Sequence, residues 1–125
     1  MLTLAVVFSS CEKSDPDIST ADRDKFIGSY QGVSSGPGGT RNFNMTITAS
    51  NSAPDQVIME NFDLSGSGSY IAANINGNNL SMVTTTISGE IYEGYGALSG
   101  NRITFNYTLD DGQTVETRTA TADKL

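Results

Sequence analysis

From residue 41 to residue 48, apolar and polar side chains alternate without a break: Phe43, Met45 and Ile47 against Asn42, Asn44, Thr46 and Thr48. A period of two puts the first set on one face of a β-strand and the second on the other. The pattern recurs at short intervals along the rest of the chain. Ile71, Ala73 and Ile75 share a face, as do Ile103, Phe105, Tyr107 and Leu109. Asn76-Gly77 and Asp110-Asp111-Gly112 stand between such runs and supply the positive-φ residues of tight hairpins. A chain of this kind folds by pairing neighbouring strands, not by packing helices.

The alternation predicts eight strands, at 26–33, 41–48, 57–62, 69–75, 80–87, 90–98, 102–109 and 113–121. Short connections make consecutive strands neighbours. The predicted fold is all-β: an eight-stranded antiparallel up-and-down meander that closes into a small barrel, because closure removes both unpaired edges. An open β-sandwich is the alternative. Contact between the first and last strands decides between them. Thr20, ahead of Ala21-Asp22-Arg23-Asp24, caps a short helical turn leading into Phe26.

Polar residues on the alternate faces rule out a barrel with an apolar, membrane-facing exterior. The aromatic set Phe26, Tyr30, Phe43, Phe62, Tyr92, Phe105 and Tyr107 either lines a ligand cavity or fills the barrel, and short strands favour filling. Ser65-Gly66-Ser67-Gly68-Ser69 and Gly36-Pro37-Gly38-Gly39 precede no helix, so they read as flexible connections at a barrel rim and not as phosphate loops.

Ahead of the barrel, residues 2–8 form an apolar run too short to span a bilayer. Ser9-Ser10-Cys11 and the polar stretch Glu12 to Asp17 follow. This order resembles the end of a bacterial lipoprotein signal peptide, in which the cysteine becomes the lipid-modified first residue. The resemblance implies a signal peptide over 1–10, lipid attachment at Cys11, a flexible tether over 11–22 and a barrel domain over 23–125. The basic segment that opens such peptides is missing, and the expectation is that the true start lies upstream or was trimmed. A chance cysteine in a buried strand is the other reading.

Several chemistries are excluded by composition. The chain has no histidine and a single cysteine, Cys11. His-based acid–base catalysis, Ser-His-Asp triads and His/Cys zinc sites are therefore out of reach. A formal charge of −7 argues against nucleic acid as a partner. Glu90 and Glu93 differ by three and face opposite ways on a strand, so they form no dyad. No catalytic residue, metal site or cofactor is predicted.

Gly28-Ser29-Tyr30 on the first strand, behind a helical turn, resembles the Gly-x-Trp start of lipocalins and other calycins. The stretches 24–30, 57–62, 71–77, 94–101 and 117–124, in this order and spacing, resemble the small lipocalin-like lipoproteins of Gram-negative bacteria, mostly of unknown function. Tyr30 stands where lipocalins carry tryptophan. In calycins an arginine of the last strand packs over that aromatic, and the resemblance implies that Gly28, Tyr30 and Arg118 close one barrel end, by cation–π contact. A solvent-facing Arg118 is the alternative.

The resemblance further implies an outer-membrane lipoprotein, on the cell surface or the periplasmic face, bound to the membrane through its N-terminal lipid. The leading functional expectation is a non-catalytic binding or interaction module for a small apolar ligand, a glycan or a protein partner. A structural or assembly subunit with a filled barrel is the second reading, and an enzyme the third.

Overall fold

The computed structural model describes residues 22–125. The apolar leader, Cys11 and nearly all of the tether lie outside the described residues. Residues 22–24 are helical, and the Phe26 amide donates to the Arg23 carbonyl at 3.0 Å. An antiparallel sheet follows: β1 (Gly28–Gly36), β2 (Gly39–Ala49), β3 (Gln56–Glu60), β4 (Tyr70–Asn76), β5 (Asn79–Met82), β6 (Thr85–Ile87), β7 (Glu90–Ser99), β8 (Arg102–Asp110) and β9 (Val115–Lys124).

Sequence neighbours pair from β1 to β5 and from β6 to β9. β9 pairs back onto β1, with Thr119 opposite Ser35 and Lys124 opposite Tyr30. β5 pairs with β7, Leu80 opposite Gly96, which completes the ring. The result is a closed eight-stranded antiparallel barrel, because β5 and β6 lie end to end along β7 and occupy one wall position. The open sandwich is thereby excluded.

Most strand bounds shift by one to three residues from the predicted ones, and two departures have a local cause. The fifth strand is broken at Val83-Thr84, where the Thr85 hydroxyl donates to the Val83 carbonyl at 2.7 Å. Such local side-chain bonds compete with the ladder. The third strand ends at Glu60, two residues before Phe62. Asn61 takes a left-handed conformation, φ 63°, and its side-chain amide donates to the Asn44 carbonyl at 2.8 Å. That turn takes Phe62 out of the wall.

Inward positions carry the core, among them Met45, Ile47, Val57, Met59, Ile71, Leu80 and Ile103, all essentially inaccessible. Gly32 sets the curvature of β1. A Cβ there would lie 2.4 Å from the Phe43 ring, so the ring of its register partner lies directly across the glycine.

One end of the barrel is shut by the chain termini. Phe26 and Tyr30 are fully buried, and the Tyr30 hydroxyl donates to the Phe26 carbonyl at 2.8 Å. Lys124 places its ammonium 5.8 Å from the Tyr30 ring centroid and donates to the Lys25 carbonyl at 2.9 Å. Gly28 has φ 152° and would bring a Cβ to 3.2 Å from Lys124 Cε, so a side chain is disfavoured there on both counts. Gly28 and Tyr30 thus sit at a closed end. Arg118 does not: the cation over Tyr30 is its register partner Lys124. Arg118 lies six residues earlier on the same strand, roughly 20 Å away along β9.

Burial pushes the Tyr30 phenol up from 10.0 to about 12. In the unfolded chain tyrosine titrates near 10, so between pH 10 and 12 the folded state retains a proton that the unfolded state has lost. Stability from this group is complete below pH 10 and falls as pH rises through that window, by roughly 2–3 kcal/mol. Urea unfolding at pH 9 and pH 11.5 should show the loss, and Tyr30→Phe should shrink it. An identical pH dependence in Tyr30→Phe would contradict the assignment.

Candidate functional site

The opposite end carries the polar chemistry. β3 and β4 stop at the Glu60–Tyr70 pair, which leaves the wall low on one side. Residues 61–69 fold back over this mouth. Their ends are joined, the Asn61 amide donating to the Ser69 carbonyl at 3.1 Å and the Gly68 amide to Glu60 Oε2 at 2.9 Å. A loop with a pinched neck is a compact unit that can move without unzipping the sheet.

Phe62 opens the short 3₁₀ turn Phe62–Leu64 and points into the lumen. Its ring meets those of Phe43, Tyr92, Phe105 and Tyr107 edge-on, with centroids 5.7, 6.4, 4.9 and 4.8 Å away. Contacts of this geometry each contribute about 0.5–1.5 kcal/mol beyond area burial.

Asp63 follows and is just as deeply placed, at 1% exposure. Its carboxylate accepts from the Ser34 hydroxyl and from Arg41 Nη1 at 3.1 Å, and Arg118 Nε lies 3.5 Å from Oδ2. Arg118 is itself 1% exposed. It donates to Ser34 Oγ at 2.9 Å, to the Gly39 carbonyl at 2.8 Å and to Glu116 Oε2 at 2.6 Å. The Gly38 amide reaches the same Glu116 oxygen at 2.9 Å. That amide first, and Arg118 second, hold the Glu116 carboxyl below the usual range. One guanidinium therefore ties β9, the β1–β2 hairpin and the mouth loop together.

The cluster is not fully satisfied. The Tyr107 hydroxyl and Arg118 Nε are buried without a hydrogen-bond partner. Burial raises the Tyr107 phenol well above its ordinary value, so it is neutral and a potential donor. The backbone is strained as well: Asp63 has φ 53° and Leu64 φ 63°. Left-handed conformation costs a residue with a Cβ roughly 1–2 kcal/mol. Leu64 recovers little of that, since it is 54% exposed.

Both expectations for Arg118 give way here. It is neither stacked on Tyr30 nor turned to solvent. An inward arginine needs a carboxylate, and the mouth loop brings one. Cys11 lies outside the described residues. Glu90 and Glu93 remain apart in character, half-buried and exposed. Asp111 accepts from the Gln113 and Thr114 amides at 2.9 and 2.8 Å, as a hairpin residue does. Asp63, Ser34 and Glu116 were not singled out in the sequence. Ser34 shares the parity of Tyr30, and a buried Arg118 demands an acid, but neither signal identifies Asp63.

Away from the mouth, an open groove of about 660 Å³ on the outer wall is lined by Glu93, Tyr95, Asn106 and Thr117 among others. It lacks the burial and convergent polar groups of the mouth.

No protein-family model matches the chain, and no curated protein matches it. Among solved structures, a redesigned β barrel is similar, with a TM-score of 0.64 and 17% identity over 83% of this chain and 95% of the other. The likeness is one of fold. What the mouth can do follows from its groups: two guanidiniums and a hydroxyl grip one carboxylate beside a box of aromatic rings. Arginine keeps its charge at any accessible pH, so the two guanidiniums are suited to holding an anion, here the Asp63 carboxylate.

Proposed function

We propose that the chain is a lipid-anchored, non-catalytic binding module of a bacterial envelope, with its ligand site at the looped-over barrel mouth. The observation that carries this reading is the buried Arg118–Asp63 pair beside Phe62. A barrel that only needed filling would be as stable with apolar side chains there. Backbone strain at the same place supports a site held in readiness.

A small apolar ligand fits the aromatic box in kind. Native mass spectrometry of the protein extracted from membranes should show a low-mass adduct that Arg118→Gln loses. A bare mass in both, with the chain recovered in a larger assembly, would instead favour the structural reading. The filled lumen and the exposed apolar side chains of Leu64, Tyr70 and Val83 support that second reading.

The anchor rests on the lipoprotein-like order around Cys11. Cys11→Ser is expected to move the protein from the membrane to the soluble fraction, since stable attachment needs more than one acyl chain and lipoprotein maturation supplies them. Mature wild-type protein whose mass begins upstream of residue 11, unmodified, would remove the anchor from the proposal.

A further inference from the structure

The barrel wall is interrupted where β5 gives way to β6. β5 pairs with β7 as far as Ser81 opposite Tyr95, and β6 resumes the pairing at Thr85 opposite Tyr92, so Glu93 and Gly94 lie outside both ladders. The outer groove of about 660 Å³ starts at this break and crosses β7 and β8 to Thr117 on β9. Such a volume falls within the roughly 300–1,000 Å³ of small-molecule sites. Two rows of outward side chains bound the groove. Ser81, Tyr95 and Asn106 stand across β5, β7 and β8, and Glu93, Thr108 and Thr117 stand across β7, β8 and β9. The rows are two residues apart along the strands, about 7 Å, and three strand spacings give a length of about 14 Å.

Tyr95 is 61% exposed. Its cross-strand neighbours, Ser81 and Asn106, are too short to cover a phenol ring. A large side chain on a sheet surface gains stability from such neighbours, so this ring contributes little to the fold where it stands. The hydroxyls and the amide around it can both donate and accept. Glu93 is the one charged side chain in the lining, and among the described residues no cation pairs with it.

We propose that this groove binds a neutral glycan chain, with Tyr95 as the platform for one pyranose ring. It is a second site, on the outside of the barrel, and it does not depend on the mouth. A pyranose has apolar C–H faces and a rim of hydroxyls that donate and accept. The groove offers the complement, an uncovered aromatic ring flanked by short hydroxyl and amide groups. The Glu93 carboxylate accepts from sugar hydroxyls in charge-assisted bonds. It also repels acidic sugars, as does the formal charge of −7, and no lysine or arginine lines the groove to offset either. Because the groove is open along the wall, a polymer can lie in it with both ends in solvent.

The test titrates the full chain carrying Cys11→Ser and follows it by two-dimensional NMR. Maltotetraose, cellotetraose, chitotetraose and mannotetraose are the neutral probes, and tetragalacturonate is the acidic one. At least one neutral probe should shift the resonances of Tyr95, Asn106 and Thr108 and leave those of Phe62 and Asp63 in place. Tetragalacturonate should shift none of them. Tyr95→Ala should weaken binding at least about tenfold, as truncating an aromatic anchor does. Tyr95→Phe keeps the ring and should weaken it less than about threefold. Glu93→Gln should weaken it about 3–10-fold by removing the charge-assisted bonds. Both positions are exposed, so melting temperatures should stay unchanged and assign the losses to the groove. Binding of none of the neutral probes, tetragalacturonate bound as well as they are, an affinity indifferent to Tyr95→Ala, or shifts confined to the mouth would each overturn the proposal.

Discussion

Phe62→Ala is expected to destabilise the protein by about 3–5 kcal/mol, the range for deleting a fully buried aromatic side chain. The size of the effect follows from what surrounds the ring. Four aromatic rings meet it edge-on and none of them belongs to its own loop, so the barrel wall cannot collapse into the gap without bending strands. Phe62→Leu should cost clearly less, because it keeps most of the volume. Urea denaturation at pH 7 measures both. A loss below about 1 kcal/mol for Phe62→Ala would mean that the ring is not a structural part of the core.

Arg118→Ala should be comparably damaging, about 3–5 kcal/mol, for a different reason. It leaves Asp63 buried with only Arg41 and Ser34 to hold it, and breaking one side of a buried pair strands the other charge. Arg118→Met with Asp63→Leu should recover a large part of that loss, because both charges leave the interior together. The signature is non-additivity: the paired replacement should be less harmful than the sum of the two single ones. Additive losses in the same denaturation series would show that Arg118 and Asp63 are not coupled.

Barrel closure was legible because it depends on periodicity alone. The alternation at 41–48 and 103–109, the Asn76-Gly77 and Asp110-Asp111-Gly112 turns and the short links leave few other ways to pair the strands, and β9 does meet β1. Inward parity of the aromatics was legible too: Tyr30, Phe43, Phe105 and Tyr107 all face the lumen, whereas for Arg118 the sequence left the direction open. What parity cannot tell is how far along the barrel a residue sits. That requires the register, and the register gave Tyr30 to Lys124 and set Arg118 at the other end.

The candidate site was the least legible part, and for a local reason. Phe62 continues the alternation of Val57 and Met59 only if the strand runs on, and Asn61 stops it. A single polar residue before an aromatic one does not announce a left-handed turn, although asparagine adopts that conformation more readily than most residues. Once the chain leaves the wall there, Asp63 is carried into the lumen by its neighbour. An isolated aspartate ahead of a Gly/Ser-rich segment otherwise reads as a solvated loop residue.

Occupation of the lumen by the mouth loop is read most directly from aromatic nuclear Overhauser contacts. Spectra of the Cys11→Ser chain should show cross-peaks from the Phe62 ring to the Phe105 and Tyr107 rings, whose centroids lie 4.9 and 4.8 Å away. Absence of those cross-peaks, with the Phe62 ring showing contacts only within its own loop, would contradict a mouth loop seated in the barrel.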